Sequence, residues 1–275
     1  MKIRKGIEKI TILFIMVLIG LFFGGPVAFV IWTSFRDYGA ILAGTFFGFN
    51  YSLDNYINVL FNPGYAFTKG LMNSLIISFA TTVFVVALSF PAAYSLARFR
   101  TGGSSLPSFI ISIRLLPPIV FAVPLFVLLN VSGMNDTIQG LVIVYLAFNI
   151  PISVLVLRSF IAEIPTELEE AALVDGCSRV QVMWHIILPL ARPGIIAAGI
   201  LTFITVWAEY LFALLFTLRN AITINVVASQ FVTQQAIRYG EIAAAVTIGM
   251  LPTILFLLII QRYLVRGLTL GTIKG

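Results

Sequence analysis

The chain alternates long apolar runs with short polar connectors. Six runs approach or exceed the roughly 20 residues that a helix needs to cross a hydrocarbon core. They cover about residues 10–32, 71–97, 106–129, 138–157, 194–218 and 242–264. Charge, Gly, Pro or Asn bounds each of them, as expected at helix ends. Proline punctuates several: Pro26, Pro91, Pro117, Pro118, Pro124, Pro151 and Pro252. A proline inside a span frees a backbone carbonyl that a neighbouring helix or water must satisfy. Two readings follow: helices bent around a cavity, or the ordinary abundance of proline in membrane helices. The opening MKIRKGIEK has the look of a secretory leader, but the apolar run behind it is longer than the roughly 7–15 residues of a signal core and no small-x-small cleavage site follows. It is expected to be a retained first span.

Composition agrees with this pattern. Hydrophobic residues make up 60% of the chain and charged residues 10%, against about 25% charged in soluble domains, and the mean hydropathy is +1.05. The expectation is an all-α membrane protein. No connector exceeds about 40 residues, too few for an independent soluble core, so residues 1–275 are expected to form a single transmembrane domain. The net charge of +6 is scattered singly between apolar runs, the arrangement of span-flanking charges rather than of a nucleic-acid patch. One cysteine, Cys177, excludes an intramolecular disulfide framework. The single histidine, His185, has no ligand-spaced companion, so no metal site and no cofactor are expected.

Positive connectors stay in the cytoplasm. With the N-terminus inside, Lys2, Arg4, Lys5, Lys9, Arg98, Arg100, Arg158, Arg179, Arg192, Arg262, Arg266 and Lys274 fall on the inner side, whereas Arg36, Lys69, Arg219 and Arg238 fall outside. Both termini are therefore expected to be cytoplasmic. Of the outer connectors, residues 33–70 contain a stretch, SLDNYINVLF, that reads as an interfacial helix capped by Ser52. NVSGMNDT reads as a tight turn, and SQFVTQQ as an uncharged stretch able to meet an external partner.

One connector differs from all the others. RSFIAEIPTELEEAALVDGCSRVQVMWHIILPLARP, about residues 158–193, is cytoplasmic, polar and too regular for a linker. Pro165 suits the first turn of a helix, and three following glutamates complement the positive end of its dipole. A helix over 166–175 places Leu168, Ala171, Ala172 and Asp175 near one face, and the small alanines let another surface approach. Gly176 ends it. Ser178 then caps a second short helix to residue 187, with Pro189 and Pro193 breaking the chain before the fifth span.

Glu170-Ala171-Ala172, Asp175-Gly176, and Ile187-Leu188-Pro189 with Pro193 resemble the EAA loop of bacterial ABC importer permeases. The ending QRYLVRGLTLGTIKG resembles the Gly-rich basic tail of MalG-like permeases for carbohydrates. This resemblance covers essentially the whole chain and implies six transmembrane helices of the type I importer permease fold. It implies that Glu169, Glu170, Ala171, Ala172, Asp175, Gly176, Trp184, His185 and Pro189 meet a cytoplasmic ABC ATPase dimer, with Trp184 standing where relatives carry Phe. Gly267, Gly271 and Lys274 of the tail, about residues 262–275, are implied as further contacts; the plainer reading is a basic end that anchors the last span. The other implied partners are a second homologous permease, an extracytoplasmic solute-binding protein and a small carbohydrate or polyol, in a bacterial or archaeal cytoplasmic membrane.

Glu209 is the one carboxylate placed within a span. With Trp207 and Tyr210 it offers an aromatic platform and an acceptor suited to sugar hydroxyls, although relatives often carry Asn where Ala208 stands. Two roles remain open, a lining of the translocation path and a structural hydrogen bond between helices. Arg114 has two readings as well, snorkelling to the inner interface or pairing with an acid on a partner. GGSS at 102–105 lacks the spacing and lysine of a phosphate-binding loop, so ATP hydrolysis is expected on another polypeptide. A secondary transporter or channel, the alternative reading, would need ionisable residues for ion coupling in its spans or paired interrupted helices, and only Glu209 is available; an intramembrane enzyme would need a converging His, Asp, Glu or Ser-Lys set, which the sequence does not offer.

Overall fold

The computed structural model describes residues 2–45, 51–99, 101–103, 105–231 and 238–270, with the side chains of 2–8, 111, 113, 114 and 260–270 left outside that description. Among the described residues the regular structure is helical, apart from one isolated antiparallel bridge between Arg36 and Tyr51. The chain falls into two compact units, Met1–Thr68 with Val227–Leu251, and Lys69–Val226 with Pro252–Gly275.

In the first unit the opening apolar run forms one long helix, α1 (Lys2–Ser34), with Pro26 inside it. Its membrane-length stretch, Lys9–Ser34, has an 18-residue apolar window with no buried residue. Two short helices follow, α2 (Tyr38–Leu42) and α3 (Asp54–Phe61). A helix is therefore present where one was expected, but its N-cap is Leu53 rather than Ser52, whose Oγ accepts the Asp54 N–H at 2.9 Å. Buried Asn55 pins α3 to the end of α1 by donating to the carbonyls of Ser34 (2.9 Å) and Arg36 (2.7 Å). Residues 46–50 of the long connector and 232–237 of the SQFVTQQ region lie outside the described residues.

The second unit holds α4 (Phe67–Arg98), α5 (Ser105–Leu115), α6 (Ala122–Val131), α7 (Ile138–Ala162) and α8 (Glu167–Val174). Next come α9 (Arg179–Val182), a π-helical turn at Met183–Ile187, and the single turn α10 (Leu188–Leu190). The rest is α11 (Arg192–Trp207), α12 (Leu211–Phe216), α13 (Ile224–Ser229) and α14 (Tyr239–Leu270); α13 and α14 extend across the division of the chain.

Four of the six apolar runs are single helices of spanning length and composition: α1, α4, α7 and α14. The other two are interrupted, which departs from the expectation. In the third run Pro117 and Pro118 remove two N–H donors in succession and restrict the residue before them, so α5 ends at Leu115 and a 3₁₀ turn, Pro118–Phe121, leads into α6. In the fifth run α11 stops at Trp207, and the Glu209 carboxylate takes the N–H groups of Phe212 (2.9 Å) and Ala213 (3.2 Å), which starts α12 as a separate helix.

Two apolar clusters build this unit. One joins Phe90, Tyr94 and Leu96 of α4 to Leu157 and Ile161 of α7, Ala172 of α8 and Val182 and Ile187 beyond it. The other joins Ile77 of α4, Leu141 and Tyr145 of α7, Val206 of α11 and Phe212 and Phe216 of α12. Close approach of α11 to α7 depends on Gly194, where a Cβ would fall 2.6 Å from the Phe160 ring.

Candidate functional site

The polar connector of residues 158–193 folds into a helical elbow. Helix α8 begins after Thr166, which caps it without a side-chain bond, and carries Glu167, Glu169 and Glu170 in its first turn. At Gly176 the backbone turns left-handed, with φ of +88°, a conformation that costs other residues strain. Ser178 then starts the second helix with a complete capping box: its Oγ accepts the Gln181 N–H, and the Gln181 side chain accepts the Ser178 N–H at 2.7 Å. The stretch Arg179–Leu190 meets α11 at a 76° bend beside Ala191, between the two prolines expected to break the chain.

The elbow is two-faced. Leu168, Glu170, Ala171, Val174 and Asp175 are exposed, Val174 at 87% of its surface. Glu169 and Ala172 are buried, at 7% and 8%. The face expected to carry Ala171 and Ala172 together is thus divided between them, because a step of one residue turns about 100° around a helix. Adjacent glutamates diverge for the same reason.

Glu169 is held by α4. Its Oε2 accepts the Tyr94 hydroxyl at 2.8 Å, its Oε1 pairs with Arg98 Nε, and Arg98 Nη2 also donates to the Ile164 carbonyl at 2.8 Å. On the second helix Trp184 lies 5.9 Å from Phe90, ring centre to ring centre, and remains 45% exposed. The Arg179 guanidinium lies over the Phe99 ring at 5.0 Å. His185 is exposed and donates from Nδ1 to the Gln181 carbonyl at 3.0 Å, and Pro189 sits half-buried in α10. Gly267 lies within α14 and Arg114 within α5, but the Arg114 side chain, like Gly271 and Lys274 entirely, falls outside what is described.

The second candidate centre is Glu209. Besides capping α12 it accepts the Tyr145 hydroxyl at 2.6 Å from α7. A cavity of about 160 Å³ opens beside it, lined by Tyr145, Phe148, Asn149, Thr205, Glu209 and Phe212 among others. Thr205 is exposed and donates to Asn149 Oδ1 at 2.7 Å. Trp207 does not line this cavity: it is buried, stacked on Phe203 with centroids 5.8 Å apart. Tyr210 is exposed and also outside the lining. The aromatic walls are Phe148 and Phe212 instead.

Asp136 went unremarked in the sequence beyond its membership of a tight turn. It has φ of +55°, and its carboxylate accepts the backbone N–H groups of Leu218, Arg219, Asn220 and Ala221 at 2.9–3.3 Å. Burial pushes its pKa up, but the four backbone donors outweigh burial and hold the carboxyl below its ordinary value. Asn73 donates to the carbonyls of Asn220 and Ile222, both at 2.9 Å, fixing the same strap. Tyr94 and Arg98 were missed as well. The signal available was their spacing of four in the last turns of an apolar run, which puts a phenol and a guanidinium on one face.

A larger cavity of about 410 Å³ belongs to the first unit, where Arg36, Asp37, Asp54, Arg238 and Glu241 give it charges of both signs. Among the described residues there is no group of three or more His, Cys, Asp or Glu side chains placed to hold a metal ion.

Comparison with known proteins places this geometry. The family described as the inner membrane component of binding-protein-dependent transport systems matches residues 86–270. The trehalose/maltose transport system permease protein MalG of Thermococcus litoralis is 34% identical over 100% of this chain and 99% of its own length. The trehalose transport system permease protein SugB of Mycobacterium tuberculosis is 35% identical over 91% of this chain and 92% of its own. A solved bacterial ABC transporter involved in the import of the acidic polysaccharide alginate superposes with a TM-score of 0.74 at 22% identity, covering 94% of this chain and 95% of that one. The fold is that of ABC importer permeases, multi-pass and helical, and the chain belongs to the family of inner membrane components of binding-protein-dependent transport systems.

Proposed function

We propose that the chain is the membrane-spanning subunit of an ATP-driven importer that receives sugars, oligosaccharides or polyols from an extracytoplasmic solute-binding protein. It acts as a single permease domain with six crossings and both termini in the cytoplasm. It pairs with a second homologous permease and rests on a dimer of ABC ATPases, which supply the hydrolysis that this chain does not perform. Similarity to permeases for trehalose and maltose supports the substrate class.

The observation that carries this reading is the elbow. Its outward face combines exposed apolar Leu168 and Val174 with Glu167 and Glu170, while its inward face is buried against α4. An apolar patch with an acidic rim, standing on a rigid base, suits a groove on a soluble partner. The pair Asn149–Thr205 supports a translocation seam on another face. A polar pair of exposed Thr205 and half-buried Asn149, flanking a carboxylate at membrane depth, is costly against lipid and is satisfied by water, solute or a partner subunit. The mixed-charge cleft of the first unit offers a surface for the binding protein. Glu209 is committed to α12 and Tyr145, and Glu241 of α14 is paired with Arg238, which counts against ion coupling by a secondary transporter or channel.

Replacing Gly176 with Pro tests the reading. Proline fixes φ near about −65°, incompatible with the observed +88°. In the assembled complex, Gly176→Pro is expected to leave membrane insertion intact and to abolish solute uptake driven by ATP. Normal uptake by that variant would overturn the proposal.

A further inference from the structure

Phe90, Tyr94 and Arg98 are spaced at four-residue intervals and so form one stripe along the end of α4. Both limbs of the elbow meet that stripe: Glu169 of α8 through Tyr94 and Arg98, and Trp184 of the second helix through Phe90. Arg98 also reaches the Ile164 carbonyl, so it ties the base of α8 as well as its first turn. Glu169 and Arg98 side chains are each 9% exposed, and a buried ion pair is expensive to separate because either partner alone would be left an unpaired charge in an apolar surrounding. A load on α8 is therefore transmitted through this pair before the pair breaks.

The receiving end of α4 is built to yield. Pro91 lies inside the helix, immediately after Phe90, and removes one backbone hydrogen bond just where the stripe begins. The turns from Ala92 to Arg98 can then swing about Pro91 at lower cost than in an uninterrupted helix.

We propose that Glu169 is a positioning residue of a mechanical joint with Arg98 and Tyr94, and that this joint delivers displacement of the elbow to α4, which bends at Pro91 as the first spanning helix to respond. Glu169 accordingly serves the membrane side of the elbow, and Glu170 the ATPase side. This rests on the coupling function proposed above and deepens it.

The test uses the complete complex in proteoliposomes, with ATPases, second permease and solute-loaded binding protein, and reads solute imported per ATP hydrolysed. Glu169→Gln keeps the shape and removes the charge; the ratio is expected to fall about tenfold, within the range of ordinary coupling energies. Tyr94→Phe removes one hydroxyl and is expected to lower the ratio about two- to threefold. The swapped pair Arg98→Glu with Glu169→Arg is expected to recover part of the ratio lost by Arg98→Glu alone. An unchanged ratio in Glu169→Gln, or equal falls in import and hydrolysis, would overturn the joint. Should Glu169→Gln fail to assemble, Tyr94→Phe decides by the same criterion. Failure of the ATPases to co-purify with the unaltered chain is a separate result, which would overturn the coupling reading itself.

Discussion

Glu169 and Glu209 look alike at first sight. Each is a carboxylate in an apolar cluster, and each accepts the hydroxyl of a tyrosine from a long helix, Tyr94 of α4 or Tyr145 of α7. They differ in what completes the shell. Glu169 takes a guanidinium from another helix and offers nothing to the start of its own. Glu209 takes two N–H groups from the helix that follows it in the chain, and its hydrogen-bond donors are neutral. A charge neutralised by a side chain on another element binds two elements that can move; a charge satisfied by its own backbone fixes a local shape. The first arrangement suits a joint and the second a permanent kink in a broken span.

The comparison breaks most severely at Arg98. Arg98→Ala strands the buried Glu169 carboxylate and is expected to cost about 3–5 kcal/mol of stability. Adding Glu169→Ala should return much of that loss, so thermal melts of the four-member cycle should show strong non-additivity. Glu209→Ala is expected to cost less, about 1–3 kcal/mol, because it orphans a phenol and two N–H groups but no charge. Its cycle with Tyr145→Phe tests whether Glu209 works locally, and a coupling far above about 1 kcal/mol would erase the distinction.

Asp136 sharpens the comparison from a third direction, since it is a carboxylate satisfied wholly by backbone, yet from a different segment. Its folded pKa is depressed, so its contribution is fully present above the ordinary unfolded carboxyl pKa of about 3.9 and is lost only as pH falls through the lower folded value. Between pH 8 and 5 the melting temperature should be insensitive to this group. Asp136→Asn, which removes the charge from four charge-assisted bonds, is expected to lower the melting temperature by about 2–4 °C at neutral pH and to remove that acid-dependent step.

Much of this architecture was legible from hydrophobic run length alone, because α1, α4, α7 and α14 depend on nothing more than sustained apolar composition. The elbow was legible from local chemistry: acids behind Pro165, Gly176 as a stop and Ser178 as a cap, to which the structure adds the reciprocal bond from Gln181. What escaped was whatever depends on contacts distant in sequence. Periodicity put Leu168, Ala171, Ala172 and Asp175 near one face, of which Ala172 turns inward, and the side from which α4 approaches decides that Glu169 is buried and Glu170 is not. Run length likewise treated residues 194–218 as one helix, because a hydropathy window registers Glu209 as a single polar residue and not as a cap that begins a new one. Asp136 gave only the signal of a turn residue, and its four donors lie more than eighty positions away.

The π-helical turn at Met183–Ile187 is one residue wider than an α-helical turn. Its closing bond runs from the Leu188 N–H to the Met183 carbonyl, five residues back. Every later position is rotated by about 100° relative to an unbroken α-helix, so the direction in which Pro189 and the bend before α11 leave the elbow depends on this one turn. A graft of this elbow onto another pair of helices therefore has to carry the wide turn with it, or the chain enters α11 from a different side.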